Sequence, residues 1–477
     1  MIEETGTWSR SRGAKIVATL GPSASDPLTL KNLIEAGVDV ARINFAHGNV
    51  DEHRRAAAQV RQAAEEAGRQ IGLLGDLPGP KMRTGRIKDG EVRLKSGNEC
   101  VLVSTDIEGE WNRVGTSVPN LPQMVAFGDE IFLADGAIVL KVRSVGSDEV
   151  VTEVMRGGTL RSGKGMHFLA AERFFEPLTD RDRIALQTAA ELDIQLLGLS
   201  FIRNGADVRQ LRDALPSGYS PFIVAKIETR AAVENLDDVV READAVMVAR
   251  GDLGIQIALE DVPEIQRSVI EACNRAATPV ITATQLLESM TRSPLPTRAE
   301  VTDVANAVRE GTDAVMLSEE TAVGDHPVRV VETMVKIIRA AERSPAMRVA
   351  PVHEGPLADP VSWAVAHAAT LAAEDVGATA ILCPTRSGAT SRRVAAFRPE
   401  AQIVALSSET SGVAALCLTW GVHPVEMDAI NEDGLVVERS VARALELNLV
   451  SKGDRVVVVS GSVGRVGGTD LMQVVEI

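Results

Sequence analysis

Aromatic side chains are scarce in this chain, 3% of its residues, which argues against a protein that stacks on bases. Positive charge is outweighed. The 50 Lys and Arg stand against 66 Asp and Glu, a net charge of −16. That balance argues against a nucleic-acid partner and favours solubility. An anionic substrate must then be held by local cations. Cysteine is limited to Cys100, Cys273, Cys383 and Cys417, far apart and without a CxxC pair. Neither a thiolate metal site nor a disulfide framework is expected, and a reducing cytoplasm is the simplest setting. No apolar run reaches membrane-spanning length, so no membrane association is expected. The acidic start Met1-Ile-Glu-Glu lacks an apolar stretch, so no export signal is expected. What is present is core: 477 residues with 45% hydrophobic content, room for about three domains.

The most informative residues are Ile223-Val-Ala-Lys-Ile-Glu228 and Met247-Val-Ala-Arg-Gly-Asp-Leu-Gly254. Each reads as a short apolar strand with a charged end. Lys226 and Glu228 are two apart and share a strand face. Asp252 follows a glycine at the end of the next strand. Two carboxylates beside a lysine suit a divalent metal and a phosphoryl group, because Mg²⁺ takes one or two carboxylates plus substrate phosphate. An exposed ion pair is the weaker reading, because consecutive strand ends are where barrels keep their active sites.

Eight apolar runs recur, at 15–21, 38–45, 71–77, 194–202, 222–228, 245–252, 279–285 and 314–320. Helical periodicity fills most gaps, as at 51–67, 207–214, 262–276 and 297–309. Thr297 with Glu300 reads as a capping box. The fold class is therefore α/β, a (β/α)₈ TIM barrel over 1–80 and 176–343. The gap 81–175 changes character. Short alternating segments are punctuated by Asp89-Gly90, Ser96-Gly97 and Gly157-Gly158, and read as an inserted small β-barrel, a lid over the active-site end rather than a decoration. A linker follows at 344–360. Residues 344–477 make up a C-terminal open α/β domain, with strands expected at 378–383, 403–406 and 455–460. Its Thr385-Arg-Ser-Gly-Ala-Thr-Ser391 segment, between a strand and a helix, offers hydroxyls and backbone N–H groups for a phosphate at Thr385, Ser387, Gly388 and Thr390. The glycine-rich loop 460–469 would close over it with Arg465.

Taken in order, Arg42-Ile-Asn-Phe-Ala-His-Gly48, Asp76-Leu-Pro-Gly-Pro-Lys-Met-Arg-Thr-Gly85, Lys226-Ile-Glu228, Ala249-Arg-Gly-Asp-Leu-Gly254 and Ile281-Thr-Ala-Thr-Gln-Leu-Leu-Glu-Ser-Met290 make the chain resemble pyruvate kinase from about Ala14 onward. The resemblance implies phosphoryl transfer from phosphoenolpyruvate to ADP in glycolysis, giving pyruvate and ATP. It implies that Arg42 holds the substrate phosphate and that Lys226 neutralises the transferring group. Glu228 and Asp252 would bind Mg²⁺, or Mn²⁺ in its place, and the N–H groups of Gly251 and Asp252 the substrate carboxylate. Thr284 would help place the proton on the enolate carbon. Arg83 and Lys164 match nucleotide-phosphate residues, and Asn44, His47, Thr19 and Ser200 would line the same pocket. The resemblance also implies a phosphorylated effector at the 385–391 segment and a homotetramer.

Some positions depart from the family pattern. Ala46 stands for serine, His167 and Leu169 for Asn and Pro, Gln256 and Ala258 for Glu and Pro, and Glu319 for glycine. Ala46, with Lys81 in place of glutamate, leaves Asn44, Asp76 and Lys81 as the remnant of a monovalent-cation site, so K⁺ is not expected to be required. Two other readings compete: a metal-dependent aldolase or lyase acting on phosphoenolpyruvate or pyruvate, and a slow paralogue that chiefly binds metabolites.

Overall fold

The computed structural model describes residues 12–134, 136–168, 174, 176, 178–343, 359–428, 435–461 and 468–477. Met1, Leu169 and Arg465 lie outside them, as do most of the linker and of the loop that carries Arg465.

Eight parallel strands close into a barrel: Lys15–Thr19, Val40–Asn44, Gly72–Asp76, Leu196–Leu199, Phe222–Ile227, Ala245–Ala249, Val280–Ala283 and Ala314–Leu317. The first strand pairs with both the second and the last, which removes every edge. Each lies inside one of the eight expected apolar runs. The strands are shorter than the runs because the last residues of each run turn away at the same rim. Ser200, Glu228, Asp252 and Gln285 all lie just past a strand end. Capped helices return the chain between strands. The Thr297 hydroxyl accepts from Glu300 N, and the Glu300 carboxylate accepts from Thr297 N, so the capping box forms.

The insertion wraps one core of buried residues, including Leu102, Ile131, Leu140, Val154 and Phe168. Six strands run in the order Met166–His167, Glu130–Leu133, Ile138–Val145, Glu149–Arg156, Glu99–Val103, Arg113–Gly115, and Glu91–Leu94 pairs with Gly158–Arg161. It joins the barrel through paired outgoing and returning chain, with Arg83 bridged to Gly165.

The C-terminal domain is a five-stranded sheet in the order Val422–Glu426, Gln402–Ser407, Ala380–Pro384, Arg455–Ser460, Leu471–Glu476. The first four strands are parallel and the last antiparallel. Val422–Glu426 and Leu471–Glu476 were not expected as strands. His423 and Pro424 interrupt the first, and the second is a largely exposed edge without a polar face to alternate with. This domain docks on the barrel end opposite the polar rim. Arg398 is buried there. Its Nη1 lies 3.1 Å from Asp313 Oδ1, just before the last barrel strand, its Nη2 donates to Asn274 and Gly311, and its guanidinium covers Trp420.

Candidate active site

The rim of the barrel and the lid enclose a cleft of about 350 Å³. Arg42, Asn44, His47, Asp76, Lys81, Arg83, Lys164, Ser200, Lys226, Glu228 and Asp252 line it, so the structure brings most of the expected site residues together. They arrive from strand ends of the barrel, the first lid connection and the lid's return segment. Gly251, Thr284 and Thr19 are not among the lining residues; Gly251 precedes Asp252, Thr19 accepts from Arg42, and Thr284 is bonded to Gly251.

Lys226 is buried on its strand. Its Nζ donates to Ser200 Oγ at 2.8 Å and lies 2.8 Å from Glu228 Oε1 and 3.3 Å from Asp76 Oδ1. Burial alone would lower its pKa, but Asp76 and then Glu228 outweigh it and hold the ammonium above its ordinary value. Arg42 donates to Asp76 Oδ2 through Nε at 2.8 Å and Nη2 at 2.6 Å, and to Thr19 Oγ1 through Nη1 at 2.9 Å. Burial would raise Asp76, yet Lys226 and Arg42 hold it below the usual carboxylate range. Asp76 has this room because its neighbour across the sheet is Gly198, where a Cβ would stand 2.9 Å from Asp76 Oδ1.

Glu228 behaves differently. Burial pushes it up to about 7 against the pull of Lys226, and Asp252 adds repulsion. Its Oε2 accepts from Phe201 N at 2.8 Å. Oε1 lies 2.8 Å from the Lys226 ammonium, and both residues line the cleft. A buried carboxylate that lines a cleft beside a second carboxylate suits a divalent cation. Among the described residues no three His, Cys, Asp or Glu side chains gather as a protein-only cage. Mg²⁺ does not need one, since it keeps waters and shares substrate phosphate.

Lys81 is held below its ordinary pKa by desolvation and then by Lys226. His47 is lowered by desolvation, then by Lys81 and Arg83. Asn44 Oδ1 accepts from Ala46 N at 3.0 Å, and Arg83 Nη1 donates to Gly163 O at 2.7 Å. The Thr284 hydroxyl accepts from Gly251 N at 2.9 Å and donates to Ala283 O. Thr284 has φ 68° and Gln285 φ 54°, and a β-branched residue is strained there.

Arg250, which sequence reasoning passed over, holds that strained turn. Its guanidinium donates to the carbonyls of Ala283 and Thr284 and pairs with Asp303 at 2.8 Å. Its place inside Ala249-Arg-Gly-Asp252 was a usable signal. Phe201, at φ 55°, was also missed, and nothing in its sequence neighbourhood marks it. Of the departures from the family pattern, His167, Gln256 and Glu319 line the cleft.

At the C-terminal segment, Thr385 Oγ1 accepts from Gly388 N at 3.0 Å, and the Thr390 and Thr469 hydroxyls share a 2.7 Å bond. Ser387 is exposed.

A family model described as pyruvate kinase, barrel domain, matches residues 11–331, and one described as pyruvate kinase, alpha/beta domain, matches 363–475. The chain belongs to the pyruvate kinase family. It is 40% identical over 475 residues to a pyruvate kinase of Thermococcus litoralis, covering 98% of this chain and 99% of that one. A Geobacillus stearothermophilus pyruvate kinase is 39% identical over 473 residues, 97% of this chain and 80% of the relative. The crystal structure of a pyruvate kinase from Cryptosporidium parvum superposes with a TM-score of 0.87 at 34% identity, covering 98% and 96%. Each of these matches extends over this chain's barrel, lid and C-terminal domain.

Proposed function

We propose that this cleft transfers the phosphoryl group of phosphoenolpyruvate to ADP, with Lys226, Arg42 and Thr284 serving the reacting groups and a divalent cation on Glu228 and Asp252. The observation that carries the reading is the buried Lys226 ammonium, poised at the cleft between two carboxylates and beside Arg42. A fixed cation in a desolvated cleft acts on charge as it develops on the transferring group. Arg42 lines the same cleft and adds a planar guanidinium of the kind that recognises phosphate, oriented by Nε and Nη2 bonds to Asp76. Thr284, fixed by the Arg250 clamp, stands next to Gly251 at the enolate end. Arg83 and Lys164 place two cations at the hinge and lid for the nucleotide phosphates. Mg²⁺ or Mn²⁺, when bound, would polarise phosphoryl and enolate oxygens.

K⁺ is not required in this reading. Ala46 offers no side-chain oxygen, Asp76 is committed to Arg42 and Lys226, and Lys81 brings its own ammonium to the same cleft. A phosphorylated metabolite at Thr385, Ser387 and Thr390 and a homotetramer rest on family membership and on the cradle-like turn at Gly388, φ 76°. Among the described residues no helix is long and apolar enough to cross a membrane.

A coupled assay for pyruvate with and without ADP tests the reading. Pyruvate should form only with ADP. ADP-independent pyruvate release would favour the lyase, and no release with tight phosphoenolpyruvate binding would favour the slow paralogue.

A further inference from the structure

Gln256 ends the short helix Arg250–Gln256 that carries Asp252. The two residues are four apart, so both project from one helix face. Both line the cleft. Gln256 is only 6% exposed, and among the described residues no donor reaches its Oε1. Its backbone carbonyl accepts from Arg230 Nη2 at 3.4 Å, which leaves the side-chain oxygen unused by that contact. Leaving a buried amide oxygen unsatisfied is costly, so a native fold that keeps one calls for a partner that arrives with the ligand.

We infer that Gln256 is a positioning residue for the divalent cation, accepting a hydrogen bond from a water that the cation retains. The inference rests on the two-carboxylate site proposed above. Mg²⁺ keeps several waters in such sites, and groups that hold the outer shell typically change metal affinity by about 10–100-fold. A carboxamide supplies the acceptor without charge. This chain therefore holds its cation with two negative side chains where a glutamate at the same position would give three. Gln256 is thus predicted to set cation affinity at a moderate level, and Glu at this position to raise it.

The test is Mn²⁺ binding followed by electron paramagnetic resonance on the full chain without substrate, alongside thermal melts. Gln256→Leu should weaken Mn²⁺ binding about tenfold or more while leaving the melting temperature unchanged or raised, because an apolar side chain of similar size removes the orphan oxygen. Gln256→Glu should restore or tighten binding. A purely structural Gln256 predicts the reverse pattern, a lowered melting temperature with parental Mn²⁺ affinity. Asp252→Asn separates the two levels of argument. Binding lost in Asp252→Asn but unchanged in both Gln256 variants overturns this inference alone. A parent chain that binds no Mn²⁺, or an Asp252→Asn chain that binds like the parent, overturns the carboxylate site and this inference with it.

Discussion

Lys226→Met removes the ammonium wedged between Asp76 and Glu228. At 3.3 Å and 2.8 Å, with an effective dielectric of about 20, its gross attractions are about 5 and about 6 kcal/mol. Burial of the ions takes back several kcal/mol each, so the net effect is smaller. In the variant Arg42 still holds Asp76 through two bonds. The loss therefore falls on Glu228, which is already pushed up to about 7 by burial. Without Lys226 it titrates higher still and escapes by taking a proton. The sign follows from linkage. A carboxylate whose folded pKa lies above its unfolded value destabilises the fold progressively as pH rises from the unfolded to the folded pKa. In the parent that penalty stops growing near pH 7; in the variant it goes on. Parent and variant should therefore differ by a constant amount below pH 7, and their stability gap should widen above it by up to about 1.4 kcal/mol per pH unit. Turnover should fall about 10³-fold or more at every pH, because the missing charge acts mainly in the transition state. KM for phosphoenolpyruvate should change far less. Urea melts at pH 6, 7.5 and 9 with the coupled pyruvate assay give both readouts. Turnover within tenfold of the parent, or a stability gap flat between pH 7 and 9, refutes the reasoning.

Arg398→Ala strips the partner from buried Asp313 and should cost about 3–5 kcal/mol in urea unfolding; Arg398→Lys should recover less than half, since an ammonium cannot reach Asp313, Asn274 and Gly311 together. A loss below about 1 kcal/mol would show that the clamp contributes little. His423 is pushed down to about 4 by burial, then by Lys15 and Arg69. Its contribution is complete above its unfolded pKa and lost as pH falls through the folded value, so His423→Gln should flatten the stability profile between pH 6.5 and 4 by at most about 3 kcal/mol. Identical profiles would remove His423 from the acid response. Replacing KCl by a bulky ammonium salt at constant ionic strength should leave activity intact with Mg²⁺ saturating. Lys81→Glu should create a K⁺ requirement only when combined with Ala46→Ser, and saturable K⁺ activation of the parent would contradict the reading.

The barrel was legible because its information is local. A strand buried on both faces must be a continuous apolar run, and eight such runs with helical spacers admit few closures. The polar tips of those runs were equally legible, so Lys226, Glu228 and Asp252 could be named from spacing and turn residues. The strands Val422–Glu426 and Leu471–Glu476 were not, because one contains a proline and the other is an edge that buries little. Their pairing is decided by the sheet they join.

Residue order along the chain suffices to name the chemical groups and the rim on which they gather. The state of each group is set by contacts between distant parts of the chain. Asp76 and Glu228 are both carboxylates at strand ends, yet one is held ionised by Arg42 and Lys226 while the other is pushed toward neutrality by burial beside Asp252. The same holds for Arg398, which reads as an ordinary arginine after a helix until the fold buries it against Asp313 and Trp420. Ionisation and pairing depend on which atoms come within about 4 Å across distant parts of the chain. Residue spacing along the chain does not encode those distances, and the closed barrel with its docked domains does.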